Sequence, residues 1–335
     1  MNIIIPMAGM GKRMRPHTLT TAKPLIPIAG KPVVQRLVED ILATANEKVE
    51  EIAFIIAPHF GKATEDMLVS VAESLGAKGK ICYQEKALGT AHAILCAADS
   101  LKGNVFIAFA DTLFKADFKI DTSKDAIIWT QKVDDPSAFG VVKLDSDGRI
   151  TEFVEKPTTF VSDLAIIGVY YFKDGENLRQ EMQYLLDNNV TEKGEYQLTT
   201  AMENMKNKGL NFYSDQVEEW LDCGNKDATV YTNQRILEIK KDSEQLVSAS
   251  AQLENSTIIA PCFIGENVKI TNSVVGPHVS IEAGAVIENS LVSNSIIQEQ
   301  ASVKNANLSN SLLGKSVIYS DKSQELSLGD FSVIL

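Results

Sequence analysis

Apolar residues in the first 110 positions come in two alternating textures. Short unbroken runs, Ile3 to Ile5, Ile52 to Ala57, Ile81 to Gln84 and Val105 to Ala110, predict strands buried on both faces, as in a parallel sheet. Between them apolar residues recur at helical spacing. Val33, Val34, Leu37, Val38, Ile41 and Leu42 mark a first helix, Met67, Leu68, Val71 and Leu75 a second, and the Ala-rich stretch Ala91 to Ala98 a third. Regular alternation of strand and helix predicts a doubly wound α/β sheet of Rossmann-like type, with ligands beyond the carboxyl ends of its strands. From Ala126 the texture changes to strands joined by turns: Ala126–Gln131, Phe139–Leu144, Ile150–Val154 and Leu164–Phe172. This predicts a mixed or antiparallel extension of the sheet. Helices at about Glu176–Asp187 and Gln197–Lys208 and a strand at Leu210–Ser214 follow, and a helix from Val230 to Ile239 ends the region.

A third pattern occupies Gln252 to Ser320. Asn-Ser followed by aliphatics recurs at Asn272, Asn289, Asn294 and Asn310, and loosely at Asn255, with first intervals of 17 residues. Aliphatics step by six between them: Ile258, Ile264, Ile270, then Val275, Ile281, Ile287. This hexapeptide repeat predicts about four coils of a left-handed parallel β-helix, each covering its neighbour's apolar face. The expected division is an α/β domain over 1–240, a β-helix over 247–320 and a tail over 321–335 ending in the apolar stretch Phe331 to Leu335.

Charge narrows the range of partners. With 32 Lys and Arg against 44 Asp and Glu, the chain carries −12, so its surface as a whole repels nucleic acid and anionic membrane. No stretch is apolar enough to span a bilayer, and the N-terminus does not read as a signal peptide. Four scattered cysteines (Cys82, Cys96, Cys223, Cys262) predict reduced thiols in a cytoplasmic protein.

Candidate chemistry begins just after the first strand. Pro6 ends it, Gly9 and Gly11 stand two apart, and Lys12, Arg13, Arg15 and Lys23 follow. Backbone N–H groups freed of side chains can close on an anion, so strand, small-residue loop and cations together describe a polyphosphate cradle. A tight turn with solvated cations would satisfy the Gly-x-Gly-x-Arg pattern equally well. Two familiar phosphate loops are excluded. Pro6 and Arg13 break the P-loop pattern, while Met14 replaces the third glycine of the dinucleotide fingerprint and Pro58-His59 the acidic residue after its second strand.

Gly9-Met10-Gly11-Lys12-Arg13 with Lys23-Pro24 resembles the signature of sugar-1-phosphate nucleotidyltransferases, with Ala8 where many relatives carry a glycine. The likeness is to hexose-1-phosphate thymidylyl-, uridylyl- and guanylyltransferases with a C-terminal left-handed β-helix, and it covers nearly the whole chain. It implies transfer of a nucleotidyl group from a nucleoside triphosphate to a sugar 1-phosphate, with Mg²⁺ as cofactor. It implies that Ala8, Gly9, Gly11, Gln84 and Gly89 bind nucleotide, with dTTP or UTP favoured. Arg13, Lys23 and Lys156 would be catalytic. Gly140, Glu155, Lys156 and Gly168 would hold the sugar phosphate, and Asp111 and Asp222, the latter in Trp220-Leu221-Asp222-Cys223-Gly224, the metal. Glu195 matches a further motif, with Thr200 where relatives often carry an aspartate. Two other readings stay open: a nucleotide-binding regulatory or scaffold paralogue, and a bifunctional enzyme using His278 for acyl transfer on the β-helix. The β-helix is expected to support homo-oligomers. His17, His59 and His92 stand near these motifs at no ligand or triad spacing, which predicts surface or capping roles.

Overall fold

The computed structural model describes residues 1–115 and 118–321; most of the expected tail, including Phe331 to Leu335, lies outside them. The chain divides into two compact units, Met1–Ile26 with Lys31–Asn225, and Pro27–Gly30 with the chain from Lys226 onward.

The first unit is organised around β1 (Asn2–Pro6), whose Ile3, Ile4 and Ile5 are wholly buried. Helix α1 (Val33–Thr44) follows, then β2 (Glu51–Ile56), α2 (Lys62–Ser74), β3 (Lys78–Tyr83), α3 (Thr90–Leu95) and β4 (Val105–Ala108). A short β5 (Thr112–Lys115) leads on to β6 (Ala126–Lys132), β7 (Gly140–Leu144), β8 (Ile150–Glu155) and β9 (Leu164–Phe172). The unit closes with α4 (Gly175–Asp187), α5 (Leu198–Asn207), β10 (Phe212–Gln216) and β11 (Glu219–Asp222).

Among the described residues, nine strands form one mixed sheet. Its main path runs β8-β7-β9-β4-β1-β2-β3, with β6 on β9 and β10 on β6. β1, β2, β3 and β4 pair in parallel, whereas β9 is antiparallel to β4, β6 and β7. The chain winds outward from β1 through β2 to β3, then returns to place β4 on β1's other side. Strand order therefore reverses between β1 and β4, and a crevice opens at their carboxyl ends. β5 and β11, unforeseen in the sequence, form a separate antiparallel pair in which Thr112 faces Asp222.

The second unit holds α6 (Lys226–Lys240) and the repeats. On this helix the buried Asn233 accepts hydrogen bonds from Ser280 Oγ at 2.6 Å and Ala29 N–H at 3.0 Å, both within the second unit. Among the described residues the repeats form three parallel sheets of five, four and four strands, each strand pairing with its equivalent one coil on, as in a three-sided β-helix. Wholly buried Ile264, Ile270, Val275, Ile281 and Ile287 line its interior. The Asn-Ser motif has a local cause. Asn255, Asn272, Asn289 and Asn305 take left-handed corners, with φ from 45° to 51°, and their amides hydrogen-bond in a ladder at 2.8 to 3.2 Å. The adjoining Ser256, Ser273 and Ser290 each accept an N–H from the next coil at 3.0 to 3.1 Å. His278, the candidate base for acyl transfer, has Nε2 2.7 Å from Glu238 Oε1 of α6.

Candidate active site

Two adjoining pockets open at the β1/β4 switch, both built wholly from the first unit. The first, about 290 Å³, is lined by Ala8, Gly9 and Gly11 of the loop after β1, by Lys23 and Pro24, and by Gln84, Gly89 and Thr90 at the β3–α3 connection. The second, about 260 Å³, is lined by Arg13, Gly140, Glu155, Gly168, Thr199, Trp220 and Asp222, among others. Thr90, Phe109 and Asp111 line both.

The loop glycines differ in what they answer to. A Cβ on Gly89 would stand 2.4 Å from the Tyr196 carbonyl oxygen, and its φ of +114° suits no L side chain. Gly89 is therefore demanded by the fold, which pins α3's start to the 194–198 segment: Ala91 N–H donates to Tyr196 O, and Thr90 Oγ1 donates to Gln197 Oε1 at 3.0 Å. A Cβ on Gly9 would meet nothing within 4 Å. Its bareness answers no internal need, and the space beside it belongs to the first pocket.

Charge converges where the pockets meet. Lys23 Nζ donates to Asp111 Oδ2 at 2.6 Å. Asp111 immediately precedes β5, and its carbonyl accepts the Cys223 N–H at 2.9 Å, so the β5–β11 pairing brings Asp222 beside it although the two lie far apart in sequence. Gly224 N–H donates to Asp222 Oδ1 at 2.9 Å. Burial and then repulsion from Asp111 raise the Asp222 pKa, against the opposing pull of Lys23, the Gly224 hydrogen bond and Arg13. Two acids that repel each other, one of them touching a lysine, form a donor set suited to a divalent cation shared with phosphate oxygens. No group of three or more His, Cys, Asp or Glu suited to a metal occurs among the described residues.

At the second pocket's far wall, burial raises the pKa of Glu155, opposed by Lys156 and by the Thr199 hydroxyl, which donates to Oε2 at 3.3 Å. Lys156 departs from expectation. It lines neither pocket; its half-exposed Nζ lies 3.8 Å from Glu155 Oε1. Its φ of +44° is unusual for a residue with a side chain, and Lys193 Nζ holds that turn through the Lys156 carbonyl at 2.9 Å. Arg13 also differs from expectation, lining the second pocket rather than the first.

A family model described as Nucleotidyl transferase matches residues 2–239. The chain belongs to this family. Relatives include a glucose-1-phosphate thymidylyltransferase of Streptomyces griseus, 28% identical over 99% of this chain and 98% of its own. A low-salt glycan biosynthesis nucleotidyltransferase Agl11 of Haloferax volcanii is 27% identical over 93% and 92%, and a bifunctional protein GlmU of Methanococcus vannielii is 29% identical over 96% and 78%. A crystal structure from Bacillus anthracis, provisionally described as a glucose-1-phosphate thymidylyltransferase and in complex with a sucrose, shares the fold. Its TM-score is 0.59 at 22% identity, covering 73% of this chain and 96% of that one.

Several further residues line the cleft of this nucleotidyl transferase. Trp220 lines the second pocket with its Nε1 buried and without a hydrogen-bond partner among the described residues. It lies two before Asp222 on β11, and residues i and i+2 of a strand share a face, so alternation could have placed it. Thr90 and Thr199 carried no such signal, because their contacts, to Gln197 and to Glu155, join segments distant in sequence.

Proposed function

We propose that this nucleotidyl transferase joins a nucleoside triphosphate, dTTP or UTP, to a hexose 1-phosphate, giving a nucleoside-diphosphate sugar and pyrophosphate. The observation that carries it is the convergence of Lys23, Asp111 and Asp222 at the junction of two pockets, one floored by a bare glycine loop and the other walled by Glu155 and Trp220. Names of the relatives support the same chemistry.

The nucleophile is a sugar-phosphate oxygen that is already anionic. It forms a bond to the α-phosphorus while the bond to the bridging oxygen of the β-phosphate breaks, and no general base is needed. The obstacles are repulsion between two anions and charge growing on the leaving pyrophosphate, so positioning and electrostatics supply the catalysis. Gly9 and Gly11 turn backbone toward the triphosphate, and Lys23 and Arg13 neutralise it. Gln84 and Gly89 meet the base, while Gly140, Glu155, Gly168 and the Trp220 N–H meet the sugar. Lys156 reaches the sugar phosphate by swinging off Glu155. Asp111 and Asp222 would hold Mg²⁺, which neutralises phosphate charge when bound.

Pyrophosphate release across a panel of triphosphates and sugar 1-phosphates tests the reading. Release dependent on both substrates is expected, with glucose 1-phosphate among the acceptors. Hydrolysis of triphosphate without any acceptor would refute it. A cytoplasmic location and a homo-oligomer assembled through the β-helix complete the proposal; no helix among the described residues is long and apolar enough to cross a membrane.

A further inference from the structure

Gln84 lines the first pocket, while His92, two residues into α3, stands outside that lining. Gln84 Nε2 lies 3.3 Å from His92 Nδ1. Burial holds the His92 pKa below its ordinary value, so the ring is neutral at pH 7, and Nδ1 accepts from the amide when the ring proton sits on Nε2. A glutamine amide offers one acceptor and one donor side by side. Uracil and thymine present a carbonyl beside an N–H; cytosine presents an amino group beside a bare nitrogen. An amide free to rotate by half a turn pairs with either edge and discriminates nothing. An amide whose nitrogen is tied to an acceptor behind it keeps one order of oxygen and nitrogen and can match only one edge.

We propose that His92 is a specificity-determining residue of this site: by accepting from Gln84 Nε2 it fixes the amide in one orientation, making Gln84 a one-way reader of the pyrimidine edge that selects thymine or uracil over cytosine. This rests on the reading that Gln84 meets the base. His92 touches no substrate and acts through Gln84, so it is a positioning residue.

The test compares kcat/KM for dTTP and dCTP with one sugar 1-phosphate in the full chain, for the wild type, His92→Asp and His92→Asn. Aspartate can only accept, so His92→Asp keeps the wild-type ratio or sharpens it. Asparagine can accept or donate and lets the Gln84 amide turn. His92→Asn therefore lowers the dTTP:dCTP ratio about threefold or more, the scale of one neutral hydrogen bond made or lost. In a Gln84→Ala background, exchanging Asp for Asn at residue 92 leaves the ratio unmoved. The two variants are nearly isosteric, and a folding defect would depress both rates rather than their ratio. Equal ratios in the Asp and Asn variants, or a difference that persists without Gln84, would overturn the inference. Wild-type turnover confined to purine triphosphates would overturn it while leaving nucleotidyl transfer in place; no transfer from any triphosphate would overturn both.

Discussion

Asp222 carries two opposed demands. Burial and the nearby Asp111 make its carboxylate costly in the free protein, yet the proposed chemistry needs it ionised. An acid whose pKa is higher folded than unfolded holds its proton more tightly when folded. Stability is therefore lost as pH rises from the unfolded value through the raised one, and the cost stays at neutral pH. Asp222→Asn should raise the melting temperature at pH 7.5 and have little effect below about pH 3, where the acid is protonated folded or unfolded. The same substitution should cut kcat at least ~10²-fold, on the scale of removing one transition-state contact. Calorimetry and steady-state turnover on the same preparation check both. Lys156 calls for a different signature. Because it lines neither pocket and rests near Glu155, Lys156→Ala should raise KM for the sugar phosphate while the dTTP KM changes little. An unchanged sugar-phosphate KM would remove it from the site.

At the scale of elements, the parallel strands and their helices were legible because each buries a contiguous apolar stripe, and burial is what periodicity records. The glycine loop after β1, which lines the first pocket, was legible too, since its glycines and cations sit within a few positions. The β5–β11 pair was not. Each strand has four residues, too few for a period, and their pairing joins segments distant in sequence, so Asp111 and Asp222 came together on resemblance alone. The loop itself separates fold from function. Gly9→Ala meets no atom within 4 Å, so stability should stay within about 0.5 kcal/mol of wild type while kcat/KM for the triphosphate falls at least about tenfold. Gly89→Ala meets the Tyr196 carbonyl at 2.4 Å and a positive φ, and should cost roughly 1–3 kcal/mol in denaturant unfolding. Equal effects of the two substitutions on stability would contradict this division of labour.

At the scale of the whole molecule, the β-helix was the most readable part, since each coil repeats the last and an aliphatic every six residues must point inward. The role of Asn-Ser was hidden because the amide ladder and the serine bridges run between coils rather than along the chain. Ile287 is wholly buried in this stack, and Ile287→Ala should cost about 2–5 kcal/mol. In the last described coil, Ile318 and Tyr319 are exposed, as the proposed homo-oligomer would favour. Sedimentation at increasing concentration should show association, and a monomer at every concentration would count against it. In the proposed reaction Lys23, Asp111 and Asp222 bring two anions together for exchange at the α-phosphorus. This is tested most directly by incubating α-labelled dTTP and glucose 1-phosphate with Mg²⁺ and following the label. The wild type is expected to move the label into a nucleoside-diphosphate sugar with one pyrophosphate released per transfer, and Asp111→Asn and Lys23→Met scarcely to do so. Wild-type protein that leaves the label in dTTP, or an Asp111→Asn protein that transfers it at the full rate, would contradict this.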